Sequence, residues 1–157
     1  MSNMIDLYHL MTIALEEARI GLAQKEVPVG AVVAAEDGSV LARAHNMPIA
    51  LKDPTAHAEV LALRRAAKVK QNYRLPGAVL IVTIVPCPMC MGAALLARVG
   101  HLVYGASDPK MGAAGSIYDL SCDRRLNHEM YVTRGVMEEE CRSLIQAFFR
   151  AKRMAYK

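Results

Sequence analysis

The chain has 157 residues, 54% of them hydrophobic and 22% charged, with a net charge of +4, 10 Gly, 7 Pro and 4 Cys. That length suits one domain over residues 1–157 with a core of its own, and the apolar content excludes a disordered or collagen-like chain. Four cysteines are too few for a disulfide scaffold, and no basic residue precedes Arg19, so no signal peptide is visible and the expected setting is a reducing cytoplasm.

Met4, Tyr8, Met11, Leu15, Ala18 and Leu22 recur at spacings of three and four, which predicts a helix with one apolar face. Val29–Ala34 and Val40–Ala44 flank Glu36-Asp37-Gly38-Ser39 and predict a β-hairpin. Asp53-Pro54-Thr55 is expected to open a helix running to about Lys70. From Leu75 to Ala97 there are 23 residues without a charge, long enough for a membrane span. Pro76, Pro86 and Pro88, with Gly77 and Gly92, break that run. It reads instead as a strand buried on both faces, Ala78–Ile84, then a turn, then a helix from Pro88 to Arg98. A strand at His101–Gly105, a polar Gly-rich stretch over 106–128, a short strand at Met130–Thr133 and a helix from Met137 to about Lys152 complete the chain. Helices alternating with strands in this half predict parallel pairing, with helices on both faces of the sheet.

The sharpest local signal is Pro86-Cys87-Pro88-Met89-Cys90, a C-x-x-C pair where a strand gives way to a helix. A helix N-terminus favours thiolate. Taken alone, the pair fits a redox dithiol, a structural metal site or a catalytic metal site. His57-Ala58-Glu59, 30 residues upstream of Cys87, separates these readings. His57, Cys87 and Cys90 make three zinc ligands and leave a fourth position open, as a catalytic zinc requires. Glu59 is then placed to move protons for the bound water. The combination matches the H-x-E…P-C-x-x-C pattern of zinc deaminases. Cys122 and Cys141, and His9, His45, His101 and His128, lack partner spacings and are expected to be ordinary packed or hydrogen-bonded residues.

With these residues the chain resembles the cytidine-deaminase superfamily and, more closely, the bacterial tRNA-specific adenosine deaminases. The resemblance also rests on Val27-Pro28-Val29-Gly30, Asn46 with Pro48-Ile49, Gln71-Asn72-Tyr73-Arg74, Gly112-Ala113-Ala114-Gly115-Ser116, Asn127-His128 and Phe148-Phe149-Arg150. It implies a three-layer α/β/α fold with a five-stranded mixed sheet, one Zn2+ per subunit, and a homodimer with active sites beside the subunit interface. It implies hydrolytic deamination of adenosine to inosine at the wobble position of a tRNA anticodon stem-loop, typically of an arginine tRNA. It also implies substrate contacts from Asn46 and Asp108, and from Phe149 and Arg150 along the anticodon-loop groove. Plainer roles exist for two of these, a turn residue for Asn46 and packing for Phe149.

Two positions depart from the family pattern. Val85 stands where a Glu usually precedes Pro-Cys, and Ser107 where a basic residue usually precedes Asp108. The Val85 change predicts weaker zinc retention, since support behind a metal site is worth about 10–100-fold. Two other functions compete. One is deamination of a free base or nucleotide such as guanine or cytosine; the other is a non-enzymatic zinc-stabilised or redox module.

The charge is unevenly spread. Residues 60–107 carry six basic and no acidic side chains, and residues 141–157 carry five and none. The second block holds Arg142, Arg150, Lys152, Arg153 and Lys157 beside Phe148 and Phe149, a composition suited to an RNA backbone with stacking platforms.

Overall fold

A computed structural model describes residues 4–156, so Lys157 lies outside the described residues. Five strands form one sheet in the order β2-β1-β3-β4-β5: β1 Gly30–Ala34, β2 Val40–His45, β3 Val79–Ile84, β4 His101–Ala106 and β5 Tyr131–Thr133. The β1–β2 pair is an antiparallel hairpin, closed by Gly38 at φ +89°. β3 runs antiparallel to β1 and parallel to β4, which in turn is parallel to β5. The mixed sheet expected from the sequence is therefore present, with its parallel half where strands and helices alternate.

Five helices lie among the described residues: α1 Leu7–Ala23, α2 Pro48–Leu51, α3 Ala58–Lys70, α4 Pro88–Leu96 and α5 Glu138–Ala155. α3 packs on β1 and β2 from one side, with α4 beside it, while α1 and α5 cover the other. Each strand alternates between these layers. Ala31, Val33, Leu80 and Val82 face α3 and α4; Val32, Val79, Ile81 and Val103 face α1 and α5. At about 25 cal/mol per Å² of apolar surface, this two-sided burial is the main force holding the layers together.

The boundaries show where local chemistry overrode pattern. Asp53 does not open a helix; its carboxylate accepts the Thr55 N–H and hydroxyl in a local turn, and α3 starts at Ala58. On α1, Met11, Leu15 and Ala18 are buried as expected, but Met4 lies before the helix and Tyr8 and Leu22 are exposed. Asp6 caps α1 by accepting the His9 N–H. The buried face is instead completed by Leu10, Ala14 and Gly21. α4 stops at Leu96 because Arg98 turns left-handed and its guanidinium bonds back to the Leu95 carbonyl. α2, four residues opened by Pro48, has no periodic signal long enough to reveal it.

One glycine is required by layer contact. α1 crosses β1 so closely that a Cβ on Gly30 would lie 1.8 Å from the Ala14 carbonyl oxygen.

Candidate active site

Three donors converge where β3 ends. His57 is the residue immediately before α3, and Cys87 the residue immediately before α4. Neither side chain caps its own helix. Both turn instead to a common point, which Cys90 reaches from the first turn of α4. His57 Nδ1 lies 3.7 Å from Cys87 Sγ and 3.5 Å from Cys90 Sγ, and all three donor atoms fall within 4.8 Å of one another. A tetrahedral zinc with ordinary Zn–S and Zn–N bonds needs S···N edges of about 3.6 Å. The spacing and the soft donor set both fit such an ion.

The surroundings favour thiolate at Cys87. Two helix N-termini point at the donors, bringing the positive ends of their dipoles. The Cys87 thiol is pushed down to about 4, first by the hydrogen bond that Cys90 donates to it, then by His57, against the opposing effect of burial. Cys90, which donates that bond and is buried, is pushed up. His57 is raised by its bond to Cys87. Glu59, only 3% exposed on the first turn of α3, has its carboxyl raised by burial.

A cavity of about 1020 Å³ opens onto these groups. His57, Glu59, Cys87, Asn46 and Asp108 all line it. Phe149 and Arg150 come from α5, so the structure brings every sequence-predicted site residue to one place, with Cys90 buried just behind. Asn46 Oδ1 accepts the Ala58 N–H at 2.7 Å, which fixes the amide orientation and leaves Nδ2 as its donor group towards the cavity. The turn-like role foreseen for Asn46 and its place in the cavity wall are thus compatible. Asp108 Oδ1 accepts the Lys110 N–H at 2.8 Å, holding the 108–111 turn at the rim.

Sequence reasoning missed part of the wall. Val27, Val29, Ile84 and Val85 give it an apolar portion. Val85 is 3% exposed and packs in the core beneath α3 and α4. On α5, Arg142, Ile145, Gln146 and Arg153 share one stripe with Phe149 and Arg150. A helical wheel drawn on 142–153 would have shown that stripe. Lys152 lies off it; its ammonium sits 5.4 Å from the Phe148 ring centre. Most of the remaining residues behave as foreseen, while His9 is exposed and bonds to Asp6 through its backbone N–H rather than its ring. Cys141 is buried against Gly105, Cys122 is exposed, and His45, His101 and His128 are each hydrogen-bonded.

The MafB19-like deaminase family model matches residues 5–153. A tRNA-specific adenosine deaminase of Haemophilus influenzae is 46% identical over 144 residues, 92% of this chain and 83% of that protein. The chain is a member of the tRNA-specific adenosine deaminases. A solved structure from a study of A-to-I editing by tRNA:A34 deaminases at the wobble position of transfer RNA superposes on this deaminase with a TM-score of 0.83. It is 43% identical and covers 87% of this chain and 98% of that one. A guanine deaminase from Bacillus subtilis is more distant, at 32% identity and a TM-score of 0.61 over 90% of this chain and 92% of that one. No helix among the described residues is long and apolar enough to cross a membrane.

Proposed function

We propose that the deaminase converts adenosine to inosine at the wobble position of a tRNA anticodon, with an arginine tRNA the first substrate to test. The observation that carries this reading is the joining of two parts in one cavity: a His57/Cys87/Cys90 donor set beside the buried Glu59, and a wall of α5 bearing Arg142, Phe149, Arg150 and Arg153. The donors suit hydrolytic deamination, and the wall suits a single-stranded nucleic acid. A free neutral base gives no use to three arginines, which places the guanine- or cytosine-type alternative second.

His57, Cys87 and Cys90 would hold one Zn2+ per subunit. Zinc in such a site supplies Lewis acidity that brings the pKa of water towards about 7. The adenosine must leave its stack to enter the cavity. The apolar wall of Val27, Val29 and Ile84 receives its rings, while Asn46 Nδ2 donates to an acceptor on the nucleotide and Asp108 meets the sugar. Glu59 takes the proton from water, delivers it to the adenine ring nitrogen beside C6, and supplies the proton that leaves with ammonia. Water and adenosine are consumed, and inosine and ammonia are formed.

A homodimer is part of this reading. α4 has no charged residue, and it exposes Met89 and Leu96 on either side of Gly92, where a Cβ would meet nothing within 4 Å. Such an open apolar face suits a second copy of the chain.

The test incubates zinc-loaded protein with an anticodon stem-loop carrying a wobble adenosine and maps inosine. Glu59→Ala is expected to keep RNA binding and one zinc per chain by native mass spectrometry, and to lose about 10²–10⁴ in turnover. Absence of inosine across the candidate anticodons rejects the function. Loss of binding together with turnover rejects the role of Glu59. A Cys87–Cys90 disulfide that cycles would support the redox module instead.

A further inference from the structure

Glu26 is the most buried acidic side chain among the described residues, 1% exposed, and the chemistry above makes no use of it. It lies between α1 and β1. One carboxyl oxygen accepts the Ile49 N–H at 3.1 Å and the other the Ala50 N–H at 2.9 Å. These are N–H groups of the first turn of α2, whose own preceding residue, Met47, provides no side-chain cap. Glu26 therefore caps α2 from more than twenty positions upstream in the chain.

The consequence lies at the other end of this clasp. Asn46 is two residues before Pro48 and gives its backbone N–H to the Val29 carbonyl at 3.2 Å. Val27 and Val29, which follow Glu26, line the cavity beside Asn46. The segment 26–29 and the segment 46–50 are thus tied twice, by backbone at Val29 and by the Glu26 carboxyl at α2. The Asn46 side chain issues at the first tie, three residues before the second. Its Oδ1 is held by Ala58, so the direction of Nδ2 depends on where the 46–50 segment sits.

We propose that Glu26 is a positioning residue for the substrate cavity, acting through Asn46 by clamping the turn that carries it. The inference rests on the reading of Asn46 as a substrate-binding residue. Glu26→Gln keeps the shape but sets an amide N–H₂ against one of the two backbone N–H groups, so one tie becomes repulsive. The 46–50 segment then shifts and Nδ2 loses its aim, while the metal donors on α3 and α4 stay in place.

The experiment measures kcat and KM for inosine formation on the stem-loop, with zinc content, for the native chain, Glu26→Gln, Asn46→Ala and the double variant. Glu26→Gln is expected to raise KM about tenfold, with kcat within about threefold of native and one zinc retained. The double variant is expected to match Asn46→Ala, because a residue acting through Asn46 has nothing left to position. Losses that multiply in the double variant overturn the proposal, as does a Glu26→Gln loss confined to kcat or tracking zinc content. Glu26→Asp, which withdraws the carboxyl by one methylene, is run in the same cycle and keeps the test open if Glu26→Gln does not fold. A native chain that forms no inosine rejects the function itself. A normal Asn46→Ala variant of an active enzyme rejects the role of Asn46 and this proposal with it.

Discussion

Replacing Arg150 and Arg153 together by glutamine tests the α5 wall. Both guanidinium groups lie on the stripe that lines the cavity, within a single helix of 18 residues. Arg142 shares the stripe but is held by Glu138 and by Glu139 at 2.6 Å, so its charge is already partly neutralised. Arg150 and Arg153 have no ion-pair partner among the described residues. Each phosphate neutralised on a single strand contributes about 0.7 to the slope of log affinity against log salt. Losing two contacts therefore flattens the slope by about 1.4. Over a fourfold rise in salt, the native chain should lose roughly sevenfold more affinity than the double variant. The assay is a salt titration of stem-loop binding in the Glu59→Ala background, where turnover does not intrude. Lys152→Gln is the control. Its ammonium is engaged on Phe148 away from the cavity, and its removal should leave the slope unchanged. A double variant with the native slope, or a Lys152 variant that flattens it equally, would refute the argument and return the basic stripe to a solvated surface.

Three further outcomes are expected. Val85→Glu should slow zinc release to a chelator, and equal release rates for the two chains would show that the apolar residue beside Cys87 has no bearing on retention. Glu17 is 7% exposed; burial works to raise its carboxyl, but the bonds from His45 and Arg43, each 2.7 Å, outweigh it and hold the group below its ordinary value. Its contribution is therefore full above the unfolded value near 4.5 and is lost as pH falls through the lower folded value. Glu17→Gln should cost about 2 kcal/mol in urea unfolding at pH 7, with the gap closing towards pH 3; a gap independent of pH would contradict this. Gly30→Ala drives a Cβ into the backbone of α1 and should cost at least about 3 kcal/mol by thermal unfolding, while a near-native melting point would mean that α1 can move aside.

Much of the site was legible because its chemistry is local. His57 and Glu59 are two apart, and Cys87 and Cys90 three apart, so their spacing announces them before any fold is known. The strands were legible for a similar reason: Val79–Ile84 is apolar but for Thr83, and the sheet buries both of its faces. What escaped depends on contacts across long stretches of chain. No pattern around Glu26 shows that its partners are Ile49 and Ala50. The charge of residues 141–157 was visible, but not which cations face the cavity. Arg142 does and Lys152 does not, a distinction set by which face of α5 docks on the sheet, where Cys141 lies against Gly105. Asp53 misled because the same side chain that starts helices elsewhere closes its own turn here.

The mixed sheet also bears on how the molecule assembles. The hairpin β1–β2 pairs residues close in sequence, and its contacts are inexpensive in chain entropy. The parallel pairs β3–β4 and β4–β5 require whole crossovers to close first, and are intrinsically slower. The cavity straddles the seam between these halves. Asn46 arrives with the hairpin, while Cys87 and Asp108 arrive with the crossovers. A chain stalled with only one half formed would hold native-like secondary structure and no pocket. Recovery of nucleotide binding during refolding would therefore trail the recovery of helical signal, and would mark the moment at which the two halves join.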